Sequence, residues 1–271
     1  MISVIIIGAG NVAHHLFNAF NTSKEVVVKQ WYSRSLDKIK SFKNEVEIID
    51  DFTSIEEADL YILAVSDDAL VGLSSKLPFE NRLVVHTSGT VNIHDLDKKN
   101  RRGVFYPLQT FSKDVQLDFA NVPVCIEVLD KSDLKLLKSL AKAIGSPSHK
   151  VNTNQRKSLH LAAVFVNNFT NQMYRIAHEI TEAQGVEFEI LKPLITETAR
   201  KVQQVSPYTA QTGPAKRNDK KTIKKHLDLL EQKQHQEIYK LMTASIQKTH
   251  GISTSTMGEA SKKTTHGRKK L

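Results

Sequence analysis

Gly8-Ala9-Gly10-Asn11-Val12-Ala13 constrains what this chain can fold into more than any other segment. The pattern G-x-G-x-x-A follows a nearly unbroken β-branched run, Ile2–Ile7, and precedes Val12, Leu16 and Phe20 at helical spacing. The first glycine permits a tight turn after a strand, and the second lets the backbone approach a pyrophosphate. The small Ala13 allows close packing of helix on strand. Free N–H groups at the start of that helix favour phosphate. Gly8, Gly10, Asn11 and Val12 are therefore candidate cofactor contacts.

The remaining pattern to about residue 150 alternates strand and helix. Val26–Tyr32, Val46–Ile49, Leu60–Val65, Leu83–Val85, Val104–Tyr106 and Val122–Val128 read as strands. Leu36–Phe42, Asp68–Leu77 and Leu134–Ile144 read as helices, the last stopped by Gly145. Such alternation predicts an α/β fold, a Rossmann-type doubly wound parallel sheet. Beyond Val151 the pattern is helical throughout. Asn154–Gln184, Glu187–Val205 (with Pro193 as a kink or restart) and Asp219–His250 are the predicted helices. The expected organisation is a nucleotide-binding domain over 1–150, an all-helical domain over 151–250 and a basic tail over 251–271.

The end of the second strand distinguishes the nucleotides. An NAD site places a carboxylate there, roughly 20 residues after the glycines, on the ribose 2′-hydroxyl. Here the strand ends Ser33-Arg34-Ser35, with no carboxylate before Asp37. Arginine can hold a 2′-phosphate through paired N–H bonds and the serines can donate to it, so NADP is the expected cofactor. Ligands of these sheets lie at the carboxyl ends of strands. That adds Val65, Ser66 and Asp67 after the fourth strand, and Thr87 and Ser88 after the fifth, although such residues also serve as caps and turns.

Charge and cysteine content exclude several classes. Residues 251–271 carry a surplus of four positive charges and Gly213–His226 a surplus of five, together the whole net charge of +9. A nucleic-acid partner is thus conceivable only at those two segments and is not expected, because the tail has almost nothing to bury and reads as a solvated end. One cysteine, Cys125, leaves no intramolecular disulfide. The 11 histidines include no H-E-x-x-H pattern, so no metal is expected. No apolar stretch approaches a membrane span and the N-terminus has no basic leader, so a cytoplasmic location is expected.

GAGNVA, SRS, AVSDDAL, HTSG, YPLQTF and TGPAKRND together resemble a family of Rossmann-like oxidoreductases whose helical C-terminal domain has no assigned function. That family is similar in architecture to pyrroline-5-carboxylate reductase, the deazaflavin-dependent NADP oxidoreductases and the 6-phosphogluconate dehydrogenase group. The resemblance runs to about His250. It implies NADP binding and homodimerisation through the C-terminal helices, and it supplies no substrate.

Substrate contacts must then come largely from the second half. His160 and Asn167 lie seven apart, two turns along one helical face, and are the candidate catalytic pair for polarising a carbonyl or relaying a proton. Arg217 and Thr212, ahead of the last helix, are candidate substrate contacts, with Arg217 suited to an anionic group. Ser88 and Gln109 are candidates from the first domain. Two readings remain open: hydride transfer to a small, anionic carbonyl or imine substrate, or a non-catalytic NADP(H)-binding regulator.

Overall fold

The computed structural model describes residues 1–113 and 115–252. Eight strands form one sheet: β1 (Ile2–Ile7), β2 (Val26–Tyr32), β3 (Glu47–Ile49), β4 (Leu60–Leu63), β5 (Leu83–His86), β6 (Arg101–Pro107), β7 (Val124–Val128) and β8 (Ser148–Lys150). Their order is β3-β2-β1-β4-β5-β6-β7-β8. Every neighbouring pair is parallel except β6 and β7, which run antiparallel and so interrupt the expected all-parallel sheet.

The apolar run of β1 follows from burial on both faces. Val4 and Ile6 join a cluster with Leu16, Phe17 and Phe20 of helix α1 (Asn11–Asn21), and with Leu137 and Leu140 of α3 (Leu134–Ala143). Ile5 and Ile7 face the other way, against Tyr61 and Leu63 of β4 and Leu70 of α2 (Asp67–Ser75). All four β1 residues are fully buried, each contributing roughly 1.5–3 kcal/mol by leaving water.

Strand order reverses between β1 and β4, which opens a crevice at their carboxyl ends. Gly8 turns the chain there with φ +125. A Cβ at Gly8 would overlap the Ala64 carbonyl of the neighbouring chain segment, so only glycine fits.

The predicted helix over Leu36–Phe42 is instead two 3-10 turns, Leu36–Lys38 and Lys40–Phe42. Leu36, Ile39 and Phe42 recur every third residue, the repeat of the tighter helix. The long predicted helix forms, but not uniformly. Helix α4 (Thr153–Ala163) begins at a capping box between Asn152 and Gln155, then passes into a π-helical segment, Val164–Phe169.

Contact density divides the chain into two compact units, 1–170 and a second beginning at Asn171. The second is helical: α5 (Thr170–Ala183), α6 (Lys192–Gln204), α7 (Pro207–Ala210), α8 (Lys220–Leu229) and α9 (Lys233–Thr249). Pro193 opens α6 and does not kink it, since the first helical turn needs no N–H from it. The single predicted helix over Asp219–His250 is broken at Leu230–Gln232. There the Gln236 amide donates to the Leu230 carbonyl at 2.7 Å and caps α8 from α9. Among the described residues, no helix is long and apolar enough to cross a membrane. The basic tail lies almost wholly outside the described residues.

Candidate functional site

A cleft of about 870 Å³ lies over the carboxyl ends of β1, β2 and β4. Gly8, Gly10, Asn11 and Val12 line it on one side, Ser33, Arg34 and Ser35 on another, and Val65, Ser66 and Thr87 on a third. The N-terminus of α1 has no side-chain cap and no acidic residue in its first turn, so its backbone donors remain available to an anion. Gly10 borders the cleft, and a Cβ there would meet no protein atom within 4 Å. Protein packing does not demand this glycine, and the space beside it is open to the cleft.

Arg34 is exposed at the cleft wall, and Lys38, four residues on, lines the same wall. The neighbouring carboxylate Asp37 lies 4.0 Å from Lys40, not against either of them. Ser33 is turned inward: its hydroxyl donates to the Ser35 carbonyl at 2.9 Å and accepts from the Ser35 amide at 3.2 Å. Asn11 ties the loop above by donating to the Phe111 carbonyl at 2.7 Å.

A second cavity, about 360 Å³, is built from β6, α4 and the π segment. Tyr106, Gln109, His160 and Asn167 contribute its polar groups, and Leu159 and Val166 are among its apolar ones. The Tyr106 hydroxyl lies 3.1 Å from His160 Nδ1. Burial, with the nearby Cys125 thiol adding to it, pushes the Tyr106 phenol up to about 12 against the opposing pull of Arg156. The phenol is therefore a neutral hydrogen-bonding group at physiological pH. His160 also rests against Gly89: a Cβ on that glycine would come within 2.6 Å of Nδ1 and 2.7 Å of Cγ.

Behind this cavity lies a buried charge network. Arg156, fully buried and one helical turn before His160, donates Nε to the Ser88 carbonyl at 3.1 Å. Its other nitrogens donate to Glu127 on β7 and to the Val91 carbonyl. Glu127 also accepts from the Thr153 amide at 2.8 Å, at the first turn of α4. His86, at the end of β5, is fully buried, and its Nδ1 accepts from the Ser88 amide at 3.1 Å. Burial, reinforced by Arg156 and opposed by Asp67, lowers the His86 pKa to about 3.

Comparison with known proteins decides the family. Residues 3–89 match the family described as NADP oxidoreductase coenzyme F420-dependent, and residues 122–246 match the domain of unknown function DUF2520. A Bacteroides fragilis protein that carries an NADP oxidoreductase designation is 38% identical, with 91% of this chain and 98% of that one covered, at a TM-score of 0.82. The chain belongs to the NADP oxidoreductases. The fold of this oxidoreductase is also that of a Myxococcus stipitatus imine reductase solved with NADP+ (15% identity, 91% and 93% coverage, TM-score 0.63). A Streptococcus pyogenes 1-pyrroline-5-carboxylate reductase shares it too (13% identity, 93% and 99% coverage, TM-score 0.62). No curated protein matches the sequence.

The cofactor is NADP, and the residues of the cleft fit it. The uncapped α1 terminus and the open space at Gly10 suit a pyrophosphate, and the cationic wall of Arg34 and Lys38 suits a 2′-phosphate. Lys38 escaped the sequence reading, because a lysine in a predicted surface helix carries no mark of its own. Two expected contacts are otherwise engaged. Asp67 accepts from the Thr90 hydroxyl and does not border the cleft. The Ser88 hydroxyl accepts from the amides of Thr90 and Val91, both at 3.0 Å, which makes it a turn residue and not an open substrate contact.

On the substrate side, His160, Asn167 and Gln109 do meet in one cavity. Asn167 reaches it from a π turn, not from the uniform α-helix expected. Thr212 and Arg217 lie in the second unit. Thr212 borders a separate apolar pocket there, and Arg217 is exposed in the turn before α8, where Asn218 takes a φ of 54. Arg156 and Glu127 are additions from the structure. Among the described residues, no group of three His, Cys, Asp or Glu is arranged to hold a metal.

Proposed function

We propose that this oxidoreductase reduces a small carbonyl or imine compound, with His160 as the polar group at the reacting centre. The observation that carries the reading is the convergence of His160, Asn167 and Gln109 in one cavity, with the His160 ring held by Tyr106. When bound, NADPH supplies a hydride; the protein supplies orientation and a proton. Where the phenol donates to Nδ1, the imidazole carries its proton at Nε2, and that N–H can hydrogen-bond to and polarise the substrate oxygen or nitrogen. A proton passed to substrate leaves Nε2 of the imidazolium, whose Nδ1–H then donates to the Tyr106 oxygen. Asn167 adds an amide that can donate or accept beside it. Leu159 and Val166 offer apolar surface to the carbon skeleton.

Arg217, exposed in the turn that leads into α8, is in this reading the residue suited to an anionic group. Two copies associate through the C-terminal helices. From residue 171 to 252 only Ile176 and Ala215 among the apolar side chains are buried, while Leu194, Ile190 and Leu241 stand more than half exposed. Helices with so little core of their own require another surface.

Incubating the protein with NADPH and a panel of small imines and carbonyl compounds, with and without a carboxylate, tests the reading. Oxidation of NADPH with at least one member, abolished or strongly reduced by His160→Ala, is expected. NADPH that binds and stays intact across the panel would favour the regulator instead.

A further inference from the structure

We propose that Arg156 is a positioning residue, which sets the His160 ring by fastening helix α4 to the loop that carries Gly89. The proposal rests on His160 as the group that faces substrate.

Two successive turns of α4 meet the same short loop after β5. At the first, Arg156 spans the loop, donating Nε to the Ser88 carbonyl and an Nη to the Val91 carbonyl. At the second, His160 lies against Gly89, between those two carbonyls in sequence, with no room for a Cβ. The loop has little freedom of its own. Ser88 donates its amide to His86 Nδ1 and accepts two amides on its hydroxyl, while Thr90 donates to Asp67. Arg156 is thus the link between a pinned loop and the helix that bears His160. Glu127 completes it by taking the third Arg156 nitrogen and the Thr153 amide at the start of α4.

A buried arginine with no exposed surface is costly unless its donors are paired. Surface charge alone does not explain an arginine here. Its partners do: two are carbonyls that flank the residue touching His160. Thr87, immediately before this loop, lines the nucleotide cleft, so the same fastening sets where His160 stands relative to that cleft. Glycine at position 89 then has a functional reason. It lets the ring sit close enough for Nδ1 to meet the Tyr106 hydroxyl.

The test reads the His160 ring directly and needs no substrate. Long-range proton–nitrogen NMR of histidine-labelled protein, with NADPH present, reports which ring nitrogen carries the proton. Wild type should show a single tautomer, with Nδ1 unprotonated and accepting. Gly89→Ala should lose that signature and give averaged tautomers. Arg156→Met combined with Glu127→Gln, which removes both buried charges together, should do the same. Arg156→Lys should recover it in part. NADPH affinity, measured by fluorescence, should stay within about threefold in each variant, since none of these side chains contacts the nucleotide cleft.

An unchanged His160 signature in Gly89→Ala, or in a double variant that binds NADPH normally, would overturn the proposal. Averaged tautomers already in the wild type would overturn it as well. If the double variant does not fold, Arg156→Lys carries the test alone: a His160 signature identical to wild type there would overturn the proposal. Absence of reductase activity would count against the proposed function without altering any of these signatures.

Discussion

The Tyr106 hydroxyl lies 3.1 Å from His160 Nδ1, and burial holds that phenol protonated, with a pKa of about 12. A permanently neutral phenol can donate to the unprotonated imidazole and, by rotating its O–H, accept from the imidazolium. The pair therefore supports His160 in both states of a proton transfer. His160→Ala should lower turnover by roughly 10²–10⁴, the usual contribution of acid–base assistance. Tyr106→Phe removes one neutral hydrogen bond of about 0.5–1.5 kcal/mol, so a loss of at most about tenfold is expected. Steady-state rates with an active member of the imine and carbonyl panel check both. Equal losses in the two variants would contradict the division of roles.

NADPH should bind more tightly than NADH. Arg34 and Lys38 stand on the cleft wall, and Asp37 pairs with Lys40. A charge-assisted contact contributes roughly 1.5–3 kcal/mol, a preference on the order of tenfold to a hundredfold. Fluorescence titration of both cofactors should show it, with Arg34→Ala and Lys38→Ala each narrowing the gap and leaving NADH affinity nearly unchanged. A preference untouched by both substitutions would remove this wall from the 2′-phosphate site.

Stability should fall as acid is added, in part through His86. Its folded pKa of about 3 lies below the ordinary 6.5, because burial and Arg156 disfavour its charged form. Between those values the unfolded chain binds a proton that the folded chain refuses. This group's stability is therefore complete above about pH 6.5 and is lost progressively toward pH 3, at about 1.4 kcal/mol per pH unit. His86→Asn keeps an acceptor for the Ser88 amide and does not titrate. Urea unfolding measured from about pH 6 to about pH 4 should give the variant a slope smaller by about one proton. Parallel slopes would show that His86 is protonated in the native state.

The helical unit should hold two chains together. Light scattering at micromolar concentration should return twice the chain mass, and Leu194→Glu, placed on an exposed apolar position, should reduce it toward one. Removing residues 253–271 should leave the mass of the assembly at two chains. A strict monomer in the wild type would refute the association.

What was legible in the sequence was what local chemistry dictates. Gly8 announces itself because its backbone conformation and the nearby Ala64 carbonyl admit no other residue, and β1 because burial on both faces demands an unbroken apolar run. Arg156 was not legible. An arginine in the polar first turns of a helix reads as solvated, and its burial is decided by Glu127 on a distant strand. The break between α8 and α9 has neither glycine nor proline; the Gln236 amide makes it. Strand β8 is Ser-His-Lys, with no apolar alternation to reveal it. The π turn likewise leaves no mark in residue type, yet it carries Asn167 into the cavity.

Isotope transfer tests the central claim most directly. The protein is incubated with NADPH deuterated at the transferable ring carbon and with the imine and carbonyl panel, and the products are examined by mass spectrometry. The account predicts deuterium on the former C=N or C=O carbon of at least one product, at a rate cut by roughly 10²–10⁴ in His160→Ala. NADPH that binds tightly yet delivers no deuterium to any compound, or a transfer rate indifferent to His160, would contradict it.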